Sequence, residues 1–265
     1  MKLFTIFGNP VAHSKSPIIH NSVFSKFRKD YRFTRTLLEN GLTLKEKFFQ
    51  LNLSGASVTV PHKEIAFSLC DEVRGVASEI GAVNCLVEEN GKLIGYNTDV
   101  YGFLDSISDF KDIKSVLIIG AGGTGKALTI GFLNKGWRVS IVNRSAERLE
   151  SFKELPVKTY LAKDFFPYMQ YDLIVNVTSA GLSDQSLPLE KDILMRLFSD
   201  AKYGVDVIYH ETPFLKLAKE SGLKTKDGSL MLVYQGVLAN QLFTKGEIPK
   251  EDIENSMLKA FYSAT

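Results

Sequence analysis

Ser57-Val58-Thr59-Val60-Pro61-His62-Lys63 sets a hydroxyl and an amine four residues apart at the end of a short β-branched run. The run over Gly55–Val60 reads as a buried strand, which Pro61 stops while supplying a fixed φ for the helix beyond. Thr59 and Lys63 then face the rim where open α/β sheets bind ligands. A lysine so placed is either a solvated residue opening a helix or the amine of a site, and what the rest of the chain sets beside it decides.

A second group of residues points to phosphate. Gly120-Ala121-Gly122-Gly123-Thr124-Gly125 follows a strand and opens a helix. The first glycine permits the tight turn, the second lets the backbone approach a pyrophosphate, and the helix N-terminus offers free N–H groups with partial positive charge. An NAD site wants an acidic residue about 20 residues on, to accept from the ribose 2′-hydroxyl. This chain instead has Asn143-Arg144-Ser145 there, with Arg148 one turn further. Arg144 would hold a 2′-phosphate through charge-assisted bonds of about 1.5 to 3 kcal/mol, roughly 10- to 150-fold in favour of NADP. The alternatives are that both arginines are solvated, or that Glu147 pairs with one of them.

Leu3–Phe7 reads as the first strand, Gly8–Lys15 as a loop, and Ser16-Pro17 as the start of a helix, with proline at the first helical position. Helices are expected over Thr43–Leu51, Glu64–Leu69 and Val73–Ile80 from their apolar spacing. Asn84–Glu89 and Lys92–Tyr96 flank Asn90-Gly91, a strong hairpin signal. Asn97-Thr98-Asp99 leads into another helix, and with the polar stretch Asp109–Lys114 beyond it the principal domain joint lies between Asp99 and that stretch. Beyond it come strands Ser115–Ile119, Arg138–Val142, Leu173–Val177 and Val205–Ile208, and helices Thr124–Asn134 and Pro213–Ser221. Leu230–Phe243 and Asp252–Tyr262 are closing helices apolar enough to pack back on the first half. Alternating strands and helices imply mostly parallel sheets. The fold class is α/β with two α/β domains: an N-terminal substrate domain of residues 1–100 plus 231–265, and a Rossmann-type dinucleotide domain of residues 101–230.

The 265-residue length suits two modest domains. Ordinary composition, with 45% hydrophobic and 23% charged residues and a net charge of +2, gives no reason to invoke nucleic acid or a membrane surface. Cys70 and Cys85 form no CxxC, and His13, His20, His62 and His210 lack zinc-ligand spacing, so no metal is expected. The apolar N-terminal run is too short for a signal peptide, and no stretch reaches the ~18 apolar residues of a membrane span. The cytoplasm is the default location.

Taken together and in order, these residues resemble the shikimate dehydrogenase family over almost the whole chain. The likeness runs through Gly8-Asn9-Pro10, His13-Ser14-Lys15-Ser16-Pro17, Val58-Thr59-Val60-Pro61-His62-Lys63, Gly81-Ala82-Val83-Asn84 and Gly95-Tyr96-Asn97-Thr98-Asp99. It continues through Asn143-Arg144-Ser145, Asn176-Val177-Thr178-Ser179-Ala180-Gly181, Asp206–Tyr209 and Met231–Gln235. The resemblance implies that Ser14, Ser16 and Tyr209 bind a substrate carboxylate, that Thr59, Asn84 and Gln235 surround ring hydroxyls, and that Lys63 and Asp99 are the catalytic pair. Removal of hydride from an alcohol carbon requires loss of the hydroxyl proton, and in reverse the same group protonates the forming alkoxide. Asp99 would orient Lys63 and keep it charged; which of the two releases the proton is left open.

The implied cofactor residues are Gly120, Gly122, Gly123, Thr124, Gly125, Asn143, Arg144, Ser145, Arg148, Thr178 and Val207. The implied activity is NADP-dependent interconversion of 3-dehydroshikimate and shikimate, in aromatic amino-acid biosynthesis, by a monomer or homodimer. The alternatives weighed are a quinate/shikimate dehydrogenase using NAD, a folate-linked dehydrogenase of related plan and a catalytically silent nucleotide-binding regulator. The chain departs from the family's usual pattern at Ser57, where asparagine is common, at the short link from Tyr209 to Thr212-Pro213, and at Leu230, where glycine is frequent.

Overall fold

The computed structural model describes residues 1–263 and divides into two compact units: Met1–Phe103 with the chain from Leu232 onward, and Leu104–Met231. The first unit comprises β1 (Lys2–Gly8), α1 (Ser16–Lys26), β2 (Tyr31–Leu37), α2 (Leu44–Gln50), β3 (Leu53–Val58), α3 (Lys63–Leu69), β4 (Glu72–Val73), α4 (Ala77–Ile80), β5 (Cys85–Glu89), β6 (Lys92–Tyr96) and the start of α5 (Asp99–Ser106). The second holds β7 (Ser115–Ile119), α6 (Gly123–Asn134), β8 (Arg138–Asn143), α7 (Ala146–Leu149), β9 (Lys158–Leu161), β10 (Leu173–Asn176), α8 (Lys191–Phe198), β11 (Tyr203–Asp206), α9 (Pro213–Glu220) and β12 (Lys224–Lys226). From α10 (Ser229–Phe243) the chain returns to the first unit, which α11 (Lys250–Ser263) closes.

The first unit's sheet runs β2-β1-β3-β5-β6-β4. β1 pairs parallel with β2 and β3, and the β5–β6 hairpin joins antiparallel to β3. Alternate residues of β1 enter different cores, as the two-residue period of a strand requires. Phe4 and Ile6 pack with Phe24, Phe33 and Phe243, which fastens α1 and α10 to one face. Phe7 packs with Leu44, Phe48, Ala56 and Leu93 on the other. Between α1 and α10, Asn240 Nδ2 donates to Nδ1 of the fully buried His20, 3.1 Å away, and the imidazole stacks on Phe33. Burial holds that imidazole down to a pKa of about 3.

The second sheet runs β12-β11-β10-β7-β8-β9 with every pair parallel, the doubly wound order of a dinucleotide fold. Its central strands β7 and β10 are buried on both faces and read as near-continuous apolar runs, Val116–Ile119 and Leu173–Val175. The order reverses between β7 and β10, where ligands bind in such sheets.

Several elements differ from their expected bounds. The strand expected over Gly55–Val60 is β3, Leu53–Val58. Thr59 and Val60 leave the sheet, although Thr59 N still donates to Phe7 O and Asn9 N to Val60 O. The helix expected over Val73–Ile80 begins only at Ala77, because Gly75 adopts φ +64° and Val73 pairs with Gly95 of β6. Strands β2, β4, β9 and β12 and helices α7 and α8 were not anticipated.

Candidate active site

Lys63 opens α3 and Asp99 opens α5, and the two meet across the first unit: Lys63 Nζ donates to Asp99 Oδ2 at 2.5 Å. Both side chains are nearly closed to solvent, at 12% and 7% exposure. The second carboxylate oxygen is also engaged, since Asn84 Nδ2 donates to Asp99 Oδ1 at 2.8 Å. A carboxylate bonded through both oxygens cannot swing away, so the ammonium it holds keeps one direction.

The surrounding bonds explain why these residues converge. Asn84 stands just before β5, its backbone N donating to Tyr96 O and its carbonyl accepting from Val58 N, so it is locked between the ends of β3 and β6. Asn97 caps α5 by accepting from Asp99 N at 3.1 Å, while its Nδ2 donates to Ala82 O. Thr98 is the hub: its N donates to Asn84 Oδ1 at 2.8 Å, its Oγ1 accepts from Asn84 Nδ2 at 3.0 Å, and Oγ1 donates to Gln235 Oε1 at 3.4 Å. Gln235 in turn donates to Leu232 O within α10. Lys63, Asn84, Asp99 and Gln235 thus share one network. Asn97 and Thr98, which hold it together, were not singled out as site residues from sequence, where they read only as part of the run leading into a helix.

Thr59 is half-buried beside Gly8, where its Cγ2 occupies the space a Cβ on that glycine would need. Ser14 and Ser16 form a separate polar corner at the start of α1. Ser14 Oγ donates to Ser16 Oγ at 3.2 Å and accepts from Ser16 N at 3.3 Å, with both residues buried. α1 has no acidic residue in its first turn and no side-chain cap, so its N-terminal charge is left for an anion. Tyr209 belongs to the second unit, half-buried beyond the end of β11.

In the second unit the glycine loop links β7 to α6. Gly120 has φ +117°, a value L side chains avoid, and a Cβ there would stand 2.9 Å from Val177 Cγ2. Gly122 has open space where its Cβ would point. The turn is fixed to the tip of β8 by Asn143, whose Oδ1 accepts from Ala121 N at 3.2 Å and whose Nδ2 donates to Ser145 O at 2.9 Å. Thr178 Oγ1 and N both donate to Asn176 Oδ1, at 2.7 and 3.0 Å. A cavity of about 530 Å³ joins these parts, lined by Gly120, Gly122, Asn143, Arg144, Thr178 and Leu187 among others.

Arg144 is exposed, without a side-chain bond among the described residues, and Arg148 is exposed on α7. Gly123 and Thr124 form the first turn of α6, which lacks acidic residues and a side-chain cap. Gly125 sits so close to Gly120 O that a side chain there would displace the turn. Open backbone at Gly122, an uncapped helix start and Arg144 suit a pyrophosphate with one further phosphate.

Behind this pocket, Asn176 Nδ2 and Thr212 Oγ1 both donate to Asp206 Oδ2 at 2.8 Å, and Ile208 N donates to Oδ1. Burial pushes the Asp206 carboxyl up to about 6, despite these three bonds to its charged form. Val207, next in the chain, donates its N–H to Asn176 O.

Comparisons with known proteins agree on one family. The model of the shikimate dehydrogenase substrate binding domain matches residues 6–86. A shikimate dehydrogenase (NADP(+)) of Helicobacter hepaticus is 42% identical over 260 residues, spanning 97% of this chain and 97% of that protein. One from Helicobacter pylori is 44% identical over 254 residues, spanning 94% and 95%. Among solved structures, the shikimate dehydrogenase of Aquifex aeolicus is similar with a TM-score of 0.84 at 34% identity, covering 97% of each chain. The shikimate 5-dehydrogenase of Thermus thermophilus, solved with NADP(H) and shikimate, reaches 0.83 at 30% identity, covering 98% of this chain and 100% of that one.

Proposed function

The chain belongs to the shikimate dehydrogenase family, and from that premise we propose that it catalyses the reversible, NADPH-dependent reduction of 3-dehydroshikimate to shikimate, a step toward the aromatic amino acids. The Lys63–Asp99 pair, 2.5 Å apart and nearly closed to solvent, is the observation that carries this assignment to particular residues. Bound NADPH supplies the hydride that reduces the ketone carbon. The proton is the protein's to give: Lys63 donates it to the oxygen as negative charge develops there, and its ammonium stabilises that charge before transfer. In the oxidising direction the neutral amine takes the hydroxyl proton. Asp99 orients Lys63 throughout, itself steadied by Asn84.

Thr59, Asn84 and Gln235 meet the ring hydroxyls. The buried serine pair at the start of α1 takes the carboxylate. Gly120, Gly122, Gly123, Thr124 and Gly125 would cradle the pyrophosphate, with Thr178 and Val207 as further cofactor residues. Arg144, with Ser145 and Arg148, would hold the adenosine 2′-phosphate, while Asn143 would keep the glycine loop and Ser145 in place for the cofactor. Residues 1–100 with 231–265 would serve as the substrate domain and residues 101–230 as the NADP domain. Among the described residues no helix is long and apolar enough to cross a membrane. The cytoplasm is the proposed location, where free thiols such as those of Cys70 and Cys85 stay reduced.

The direct test is initial-rate oxidation of NADPH, and separately NADH, with 3-dehydroshikimate. Wild-type protein should be fast with NADPH, and Lys63→Ala should lose about 10²- to 10⁴-fold in kcat while still binding NADPH. Unchanged turnover in Lys63→Ala would remove that lysine from proton transfer, and no rate with either cofactor would overturn the activity itself.

A further inference from the structure

Arg35 lies on β2, the edge strand of the first sheet, and its guanidinium reaches the loop that carries the serine pair. Nε and Nη2 both donate to the carbonyl oxygen of Ser14, at 2.9 and 2.5 Å. Two bonds from one rigid guanidinium fix the peptide between Ser14 and Lys15, and so fix the hydroxyl that contacts Ser16 Oγ and Ser16 N. Arg35 has no carboxylate partner among the described residues, so its positive charge is not neutralised by an ion pair. That charge stands beside two buried hydroxyls and the uncapped N-terminus of α1, all of which favour an anion.

Resting on the assignment of Ser14 and Ser16 to the substrate carboxylate, we propose that Arg35 is a positioning and charge-selecting residue for that carboxylate. Its fork holds Ser14 in the binding orientation, and its charge makes the site prefer an anionic ring acid over a neutral analogue of the same shape. A lysine would keep the charge but lose the fork. Because Arg35 is exposed, the electrostatic part of its effect is open to screening by salt.

The two roles separate in the oxidising direction, with NADP and either shikimate or shikimate methyl ester, at low and high ionic strength. Arg35→Gln should raise the KM for shikimate about fivefold while moving the KM for NADP little. It should also lower the preference for shikimate over the ester and flatten the salt dependence of the shikimate KM. Arg35→Lys should retain the salt dependence while losing part of the affinity. An acid-to-ester preference and a salt slope both unchanged in Arg35→Gln would reduce Arg35 to a strut and overturn the proposal, even if both KM values rose. Ser14→Ala and Ser16→Ala keep the underlying assignment separate. If neither serine variant shifts the shikimate KM, the carboxylate lies elsewhere; if both do and Arg35→Gln does not, only the role of Arg35 fails.

Discussion

Arg144 and Asn143 are neighbours at the tip of β8 with opposite kinds of work. Asn143 is bonded to both the glycine loop and Ser145, so its replacement would disturb the loop itself. Arg144 is exposed and has no side-chain bond among the described residues, so its removal should leave the protein's own structure alone. Arg144→Ala is therefore expected to raise the KM for NADPH about tenfold, the low end for a lost charge-assisted bond, with NADH use nearly unchanged. Steady-state kinetics with both cofactors decide it, and equal losses with the two would assign Arg144 to holding the loop. Residue types made this much legible from sequence, as they did the placing of Lys63, whereas Asp99 and the serine pair were reached through the family resemblance. The binding network around them was not: Thr98 joins Asn84 to Gln235 only because Gln235, 137 residues later, returns on α10. Arg35 was invisible for a related reason, because its importance comes from a backbone carbonyl 21 residues away and from no motif of its own.

Element by element, what escaped was short or lay at a sheet edge. β2 carries Arg32, Thr34 and Arg35 on exposed positions, the charged pattern by which edge strands resist pairing with other chains, and so its apolar alternation is weak. α8 spans two turns, too few for its buried Leu194, Leu197 and Phe198 to establish a period. The long buried strands and the glycine loop were legible because burial on both faces and a turn-helix junction leave strong marks in composition. A close helix contact shows what composition cannot. Gly102 of α5 lies where an added Cβ would stand 2.6 to 2.9 Å from the N, Cβ and Cα of Gln235 on α10. An alanine in an open helix position stabilises by about 1 kcal/mol over glycine. Here the obstacle is mostly backbone, so Gly102→Ala should instead destabilise by about 1 to 3 kcal/mol and move Gln235 away from Thr98. A lowered Tm together with a raised KM for 3-dehydroshikimate is the expected pair of results, and a raised Tm would mean that α5 and α10 can part freely.

For the whole molecule, pH acts through two buried groups of opposite sign, one in each unit. His20 in the first unit has its pKa lowered from 6.5 to about 3 by burial, so the unfolded chain binds the extra proton and stability is lost as pH falls below about 6.5. Asp206 in the second unit has its pKa raised from 3.8 to about 6 by burial, so the folded chain holds the proton and stability is lost as pH rises through that window. Each slope is about 1.4 kcal/mol per pH unit at most, and between about 4 and 6 they oppose each other. A chain of two units need not unfold in one step, so the two slopes are best read with separate probes. Trp137 is the only tryptophan, packed on Phe132 in the second unit, and its fluorescence follows that unit, whereas far-UV circular dichroism follows both. In urea titrations, the advantage of wild type over Asp206→Asn in the Trp137 signal should shrink as pH rises from about 4 to about 6 and stay level above that. Asp109, held at about 2 by bonds to Lys224 and Lys226, titrates below this range and drops out of the comparison. His20→Phe should remove the loss that circular dichroism sees between pH of about 6.5 and about 4.5, above the range of the carboxylates, while leaving the pH dependence of the Trp137 signal in place. Parallel curves for wild type and Asp206→Asn at every pH would mean that Asp206 stays ionised in the folded protein, its three bonds to Asn176, Thr212 and Ile208 outweighing its burial.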